Sequence, residues 1–205
     1  MHVLITAGPT REYLDDVRFL SNASSGRMGY ALAEAARRRN WQVTLVSGPV
    51  SLVSPAGVEV HRVTSAMEML EACLQVLPRV DGVIAVAAVA DYRPASRHAG
   101  KLHRTRQSLH LELVPNPDII AEIGRRKTRQ WTVGFAVESG EPLARARGKL
   151  AAKNCDAIVV NLREAMESTD TKIQLLDRTG TLSLEFQGTK ELAAERIIDW
   201  IAAHL

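Results

Sequence analysis

Short apolar, β-rich runs alternate with stretches of helical period along almost the whole chain, and few folds accommodate that alternation. The runs are Val3–Ala7, Gln42–Val46, Val58–Val63, Val83–Ala87, Thr132–Val137 and Ala157–Val160. Amphipathic segments lie between them at Met28–Arg39, Ala66–Leu77, Ile119–Arg126 and Leu143–Lys153. Parallel strands need crossovers, and strands covered by helices on both faces read as continuous apolar runs. The pattern predicts a doubly wound, Rossmann-like α/β fold: a mostly parallel sheet with helices on both faces. Ile173–Asp177 and Thr181–Phe186 flank an Arg-Thr-Gly turn and predict a β-hairpin appended at the sheet edge. Lys190–Leu205 predicts a closing helix with Leu192, Ile197, Ile198 and Ile201 on its inner face. No linker, repeat or low-complexity tract divides the 205 residues, so one domain over 1–205 is expected.

Several function classes are disfavoured at once. No apolar run approaches the length of a membrane span, and the N-terminus reads as a strand rather than a signal peptide. Cys73 and Cys155 have no CxxC or His-rich companion, so they are read as buried thiols of a reduced compartment, neither metal-bound nor disulfide-bonded. A cytoplasmic protein is expected. The formal net charge is only +3, so the basic residues matter by where they cluster.

In open α/β sheets the ligand sits beyond the carboxyl ends of the strands. The segments after Ala7, Val46, Ala87 and Val137 should therefore carry the chemistry. The first is unusually long. Connections in such units run about 2–6 residues, yet here the helix pattern resumes only near Gly26. A tolerated surface insertion would explain the length. The stretch "SNASSGRMG" also has the parts of an anion cradle: Ser24 and Ser25 as helix caps, Gly26 and Gly29 for close backbone approach, and free N–H groups at the helix start. Asn22 is a neutral amide that can donate to a developing oxyanion where a carboxylate would repel it, or a turn residue bonding its own backbone. Arg18 can grip a carboxylate or phosphate bidentately, or stand as a solvated charge.

After the fourth run, the small residues Ala87 and Ala88 let a ligand lie against the backbone, and Asp91 can accept from a sugar or base. Close helix packing and a turn cap are the plainer readings. Residues 92–111 hold no acidic residue but contain Arg93, Arg97, His98, Lys101, His103, Arg104 and Arg106. A mobile basic flap over a polyphosphate fits this run. Nucleic-acid binding fits less well, because no aromatic residue between Tyr92 and Trp131 supplies a stacking platform. Further on, Asn116, Pro117, Asp118, Ile119 and Ile120 read as an Asx-Pro turn opening a helix. Phe135 near a strand end can wall a base, and Lys149 and Lys153, i and i+4 on one helix face, can converge on one polyphosphate. Capping, core packing and a solvated face are the respective plain explanations.

The segments "ITAGPTRE", "VRFLSNASSGRMG", "VTLVSGPVSL", "AAVADYRP", "NPDII", "VGFAVE" and "KLAAKNCDAIVVN" occur in one order over residues 4–161. Their set resembles the phosphopantothenoylcysteine synthetase family, and the final hairpin and helix fit it too. The resemblance implies a ligase of coenzyme A biosynthesis that joins 4′-phosphopantothenate to L-cysteine. CTP would activate the carboxylate as an acyl-cytidylate, with release of pyrophosphate and then CMP. It implies catalytic roles for Asn22 and Lys101, and acid-substrate contacts by Arg18, Asn22, Ser24, Ser25, Gly26 and Ala88. It places Ala87, Ala88, Asp91, Lys101, Pro117, Asp118, Ile119, Ile120, Phe135, Lys149 and Lys153 around the nucleotide. Mg2+ would accompany CTP, its protein ligands left open, and no flavin is expected in this chain. A homodimer is implied, with a flavin-dependent phosphopantothenoylcysteine decarboxylase as a partner, fused or separate; nucleic acid and membrane are not expected partners. Two other classes compete. An NAD(P)-dependent oxidoreductase would show a carboxylate after the second strand, where Ser47-Gly48-Pro49 stands, or a Tyr-x-x-x-Lys pair, which is missing. A non-catalytic nucleotide-binding module would have no need of an acyl-group donor such as Asn22.

Overall fold

Parallel pairing of six strands sets the shape of the molecule, a computed structural model that describes residues 1–104, 107–138, 142–162 and 170–205. Arg106 of the basic segment lies outside the described residues. The chain opens with β1 (His2–Ala7), a short pair β2 (Arg11–Tyr13) and β3 (Phe19–Ser21), then α1 (Arg27–Arg38). It continues through β4 (Gln42–Ser47), β5 (Glu59–Arg62), α2 (Ala66–Val76), β6 (Gly82–Ala85), β7 (Tyr92–Pro94) and β8 (Leu113–Pro115). Next come α3 (Ile119–Arg126), β9 (Trp131–Glu138), α4 (Pro142–Ala152) and β10 (Ala157–Leu162). β11 (Asp170–Asp177), β12 (Leu182–Thr189) and α5 (Lys190–His204) close it.

The main sheet runs β12-β11-β10-β9-β6-β1-β4-β5. Every pair from β10 to β5 is parallel, and β11 and β12 add antiparallel at the edge, as the hairpin reading expected. The parallel strands thus lie in the doubly wound order, with the direction of winding reversing between β1 and β6. A crevice opens at that reversal, outside the strands' carboxyl ends.

The two faces of the sheet are read directly from residue alternation. Val3, Ile5 and Ala7 of β1 pack into the core formed with α1 and α5, through Leu32, Ala33, Ile197 and Ile201. Leu4 points the other way, into a core with Met69 and Cys73 of α2 and Ile119 and Ile123 of α3. Ala146 and Leu150 of α4 cover Ile158 and Val160. Burial pushes the Cys73 thiol to about 12 and the Cys155 thiol to about 11, in keeping with enclosed, unreactive thiols. Among the described residues no helix is long and apolar enough to cross a membrane.

Three differences from expectation have clear causes. β6 ends at Ala85 rather than Ala87, because the Val86 and Ala87 amides donate to the Thr6 hydroxyl at 3.2 Å each instead of continuing the ladder. Leu192 is 50% exposed, because α5 centres its buried stripe on Ala194, Ile197, Ile198 and Ile201, and Leu192 falls outside it. The long first connection is itself structured: β2 and β3 pair antiparallel, and Gly26 returns to the place where the connection began. A Cβ on Gly26 would lie 3.3 Å from Gly8 Cα, and Gly26 stands at φ +75°, a left-handed conformation that glycine adopts without strain.

Gly29 brings the start of α1 against the end of β1. A Cβ there would meet Ala7 Cβ at 2.5 Å, Ala7 Cα at 3.1 Å and Val86 Cγ1 at 3.2 Å, and the β1 backbone that carries Ala7 limits relief. Gly29→Ala is expected to cost about 1–3 kcal/mol, the usual range for forcing extra atoms into a packed interior. Urea unfolding measures this, and an unchanged midpoint would refute the packing account.

Candidate active site

The crevice above β1 and β6 holds a cavity of about 580 Å³, within the range of small-molecule sites. Its floor is formed by the segment Ala85–Asp91 that follows β6. Two threonines shape that segment. Thr6, 2% exposed, satisfies the Val86 and Ala87 amides, and Thr10, fully buried, accepts from Ala90 N at 3.0 Å. Ala88 N donates to Gly8 O at 2.9 Å, so the loop after β6 is stitched to the loop after β1. Ala87 and Ala88 then line the cavity with small side chains, Ala87 packing in part on the core beneath α2 and α3.

Ser65, Asp118 and Thr189 cap α2, α3 and α5 through their side chains. α1 differs: its N-cap is Gly26, no side chain caps it, and its first turn has no acidic residue. Ser24 and Ser25 line the cavity but do not cap the helix as expected; Ser24 Oγ instead accepts from Gly26 N at 3.3 Å. The positive end of the α1 dipole therefore opens on the cavity through Gly26, Arg27, Met28 and Gly29. Lys149, Lys153 and Lys190 line it from other sides, and Asp91 and Asp118 are the acidic lining residues. Four cations against two carboxylates, with a helix N-terminus, give a site suited to a polyanion.

Asn22 does not bond its own backbone. Its amide nitrogen reaches Val89 O at 2.9 Å and Ala88 O at 3.3 Å, across the crevice from β3 to the loop after β6. Asn116 closes the far side in a similar way, donating to Ala90 O at 2.8 Å, while Arg93 donates to Asn116 Oδ1 at 3.2 Å. Asp118 caps α3 through Ala121 N at 3.1 Å and also pairs with Lys153 Nζ at 2.9 Å. Pro117, Ile119, Ile120 and Phe135 complete the apolar wall. Lys153 is placed just past the end of α4, yet both it and Lys149 face the cavity.

Of the residues singled out from sequence, Arg18, Lys101 and the other described cations of the basic segment, Arg93, Arg97, His98, His103 and Arg104, do not line the cavity. The Arg18 guanidinium is engaged by Asp15, through Nε at 2.9 Å and Nη2 at 2.6 Å, and also by the carbonyl of Leu102. Lys101 is exposed on the basic segment. Burial alone would raise the Asp15 carboxyl, but the amides of Arg18, Leu102 and Val17 and the Arg18 guanidinium hold it well below the usual carboxylate range. Thr6, Arg27, Asn161 and Lys190 line the cavity and were not singled out from sequence.

The same fold is found among known proteins. The family model of the DNA/pantothenate metabolism flavoprotein C-terminal domain matches residues 1–205. The chain is similar to the coenzyme A biosynthesis bifunctional protein CoaBC of Vibrio parahaemolyticus, 44% identical over 96% of this chain and 51% of the relative. The CoaBC protein of Bacillus subtilis is 50% identical over 78% of this chain and 40% of its own length. The chain thus spans about half the length of the curated relatives it matches. A crystal structure of the C-terminal domain of a CoaBC protein superposes with a TM-score of 0.86 at 39% identity, covering 98% of this chain and 94% of that one.

Thr6 gives the site its most direct test. Thr6→Val keeps the shape but leaves the Val86 and Ala87 amides without their acceptor, and an unsatisfied buried group costs about 1–3 kcal/mol. Chemical denaturation should show that loss, and Thr6→Ser should recover most of it. Equal stability of the Val variant would mean that those amides find another partner.

Proposed function

The chain belongs to the DNA/pantothenate metabolism flavoprotein C-terminal domain family, and on that premise we propose that it is a phosphopantothenate–cysteine ligase of coenzyme A biosynthesis. The observation that carries the reading is the cavity itself: an uncapped helix N-terminus and four cationic side chains around a floor of Ala87 and Ala88, with Phe135 on the wall. A triphosphate nucleotide meets those demands. A carboxylate oxygen of 4′-phosphopantothenate attacks the α-phosphorus of CTP, the bond to the β-phosphate oxygen breaks, and pyrophosphate leaves. The amine of L-cysteine then attacks the acyl carbon of the acyl-cytidylate. The acyl carbon–oxygen bond breaks, CMP leaves, and the amine loses a proton to solvent.

In this reading the start of α1, Arg27, Lys149, Lys153 and Lys190 bind phosphate, and Asp91 accepts from the sugar. Asn22 exchanges its longer contact, the 3.3 Å one to Ala88 O, for the acyl or phosphoryl oxygen as charge builds there. Among the described residues no group of three His, Cys, Asp or Glu side chains can hold a metal. That fits Mg2+ carried mainly by the phosphates, where it would neutralise charge, with Asp91 or Asp118 as the available carboxylates. A homodimer and a separate or fused flavin-dependent decarboxylase belong to the same proposal. The oxidoreductase alternative is weakened by space as well as by sequence. After β4, a Cβ on Gly48 would stand 1.8 Å from Pro9 O, so no acidic side chain fits at that position.

Incubating the protein with each triphosphate, Mg2+, phosphopantothenate and cysteine should release pyrophosphate, with CTP preferred over ATP. Equal or better turnover with ATP would overturn the CTP assignment. Asn22→Asp replaces a donor with a like charge beside the developing oxyanion. Product formation is expected to fall by on the order of 10² or more with the fold retained. Separate assays of pyrophosphate, acyl-cytidylate and amide locate the loss: accumulated acyl-cytidylate assigns Asn22 to amine attack, and none assigns it to activation. Wild-type amide formation by the Asp variant would remove Asn22 from catalysis.

A further inference from the structure

The side chain of Asp15 is completely shielded from solvent, although it lies in the turn between β2 and β3 at the surface. Its two oxygens are fully used. Oδ1 accepts from Val17 N at 2.8 Å and Arg18 N at 2.7 Å. Oδ2 accepts from Arg18 Nε at 2.9 Å, Arg18 Nη2 at 2.6 Å and Leu102 N at 3.0 Å. The last bond leaves the hairpin and fixes the residue next to Lys101. Around it the turn is joined to the basic segment along its length. His98 N donates to Leu14 O at 2.9 Å, Gly100 N to the Asp16 carboxylate at 3.0 Å, and Arg97 to the same carboxylate at 2.8 Å. The Arg97 guanidinium also lies 5.1 Å over the Tyr13 ring.

The hairpin that receives these bonds is itself immobilised. Glu12, 4% exposed, accepts from Ala66 N at the start of α2 at 3.0 Å. Arg11 N donates to Thr64 O at 2.8 Å, and Ser21 Oγ to Thr10 O at 2.7 Å. From Ser21 the chain passes directly to Asn22. Asp15 therefore stands between the two residues that the ligase reading makes catalytic. It is tied to Asn22 through β3 and to Lys101 through the Leu102 amide.

We propose that Asp15 is a positioning residue that fixes Lys101 of the basic segment relative to Asn22, and that Arg18 serves this anchor rather than the acid substrate. The inference rests on the ligase reading for Lys101 and Asn22 but on this structure alone for the anchor. An isolated surface ion pair contributes little. Here, however, the carboxylate is dry and accepts three backbone amides, so its replacement leaves several donors unmatched at once. Asp15→Asn keeps the size and one carbonyl oxygen but turns an NH2 group toward the Arg18 fork and the Leu102 amide, donor against donor.

Two readouts test this. Amide hydrogen exchange at Gly100 and Leu102 should accelerate at least tenfold in Asp15→Asn, while β1 and β6 amides stay protected. In ligation assays Asp15→Asn should lower kcat with little change in KM for cysteine. Combined with Lys101→Ala it should add less than twofold to the loss of Lys101→Ala alone, because a positioning residue acts through the group it positions. Additive losses, or unchanged exchange at Leu102, overturn the proposal. If Asp15→Asn does not fold, Arg18→Lys removes the guanidinium fork from Asp15 Oδ2 and its Nη2 contact to Leu102 O, and is read by the same exchange. A protein that releases no pyrophosphate with any triphosphate would refute the ligase reading, and the exchange arm would still decide whether the anchor exists.

Discussion

The contact between Ala7 and Gly29 is the constraint on which the site depends. β1 can carry its carboxyl end to the start of α1 only because Gly29 has no side chain to intervene. That approach sets the α1 N-terminus directly over the point where strand order reverses between β1 and β6. Gly26 then turns the chain into the helix in a left-handed conformation, without a capping side chain that would neutralise the exposed amides. Against glycine a serine or aspartate cap gains only roughly a few tenths of a kcal/mol, and at Gly26 its Cβ would meet Val50 Cγ1 at 2.8 Å in a left-handed conformation. The absence of a capping side chain leaves the first amides of α1 open toward the cavity, whereas the α3 start that also lines it is capped by Asp118.

The long first connection follows from the same geometry. A short loop would join Ala7 to Arg27 directly, but it would offer nothing to the cavity's outer edge. The β2–β3 excursion leaves at Gly8, is pinned on α2 through Glu12, and returns to Gly26 carrying Asn22 across to Ala88 and Val89. The insertion thus supplies a third wall that the βαβ unit lacks.

The parallel sheet with its edge hairpin, the helices and many of the residues around the cavity were legible because each rests on a local pattern. Continuous apolar runs mark β1, β4 and β6, helical period marks α1 and α3, and the loops after β1 and β6 stand out by composition. β2, β3, β7 and β8 were not legible, since three residues are too few to show a period and their pairing is set by partners elsewhere. Arg18 lies outside the cavity for a reason the sequence does not show. Its spacing from Asn22 invites a ligand, while the residue that engages it, Asp15, looks like an ordinary turn carboxylate, and the Leu102 carbonyl is 84 residues away. Thr6 escaped notice because a threonine inside an apolar strand gives no sign that it will end the neighbouring strand. Lys190 escaped because it opens a helix far along the chain, beside the cavity only once β12 joins the sheet.

Charge placement explains how a chain of formal net charge +3 presents a strongly cationic cavity. Much of the surface basicity is spent locally: Arg125 and Arg126 on Glu122, Arg38 on Glu195, Arg39 on Asp199 and Arg129 on Asp81. Inside the cavity, Lys153 is held by Asp118, which fixes an ammonium group where it would otherwise wander. A phosphate arriving there competes for that ammonium. The exchange costs little, because Asp118 keeps its second role: its Oδ1 still accepts from Ala121 N and lies at the positive end of α3. The carboxylate left behind is therefore not stranded. A pair built in this way holds its cation in place and would yield it to an arriving anion.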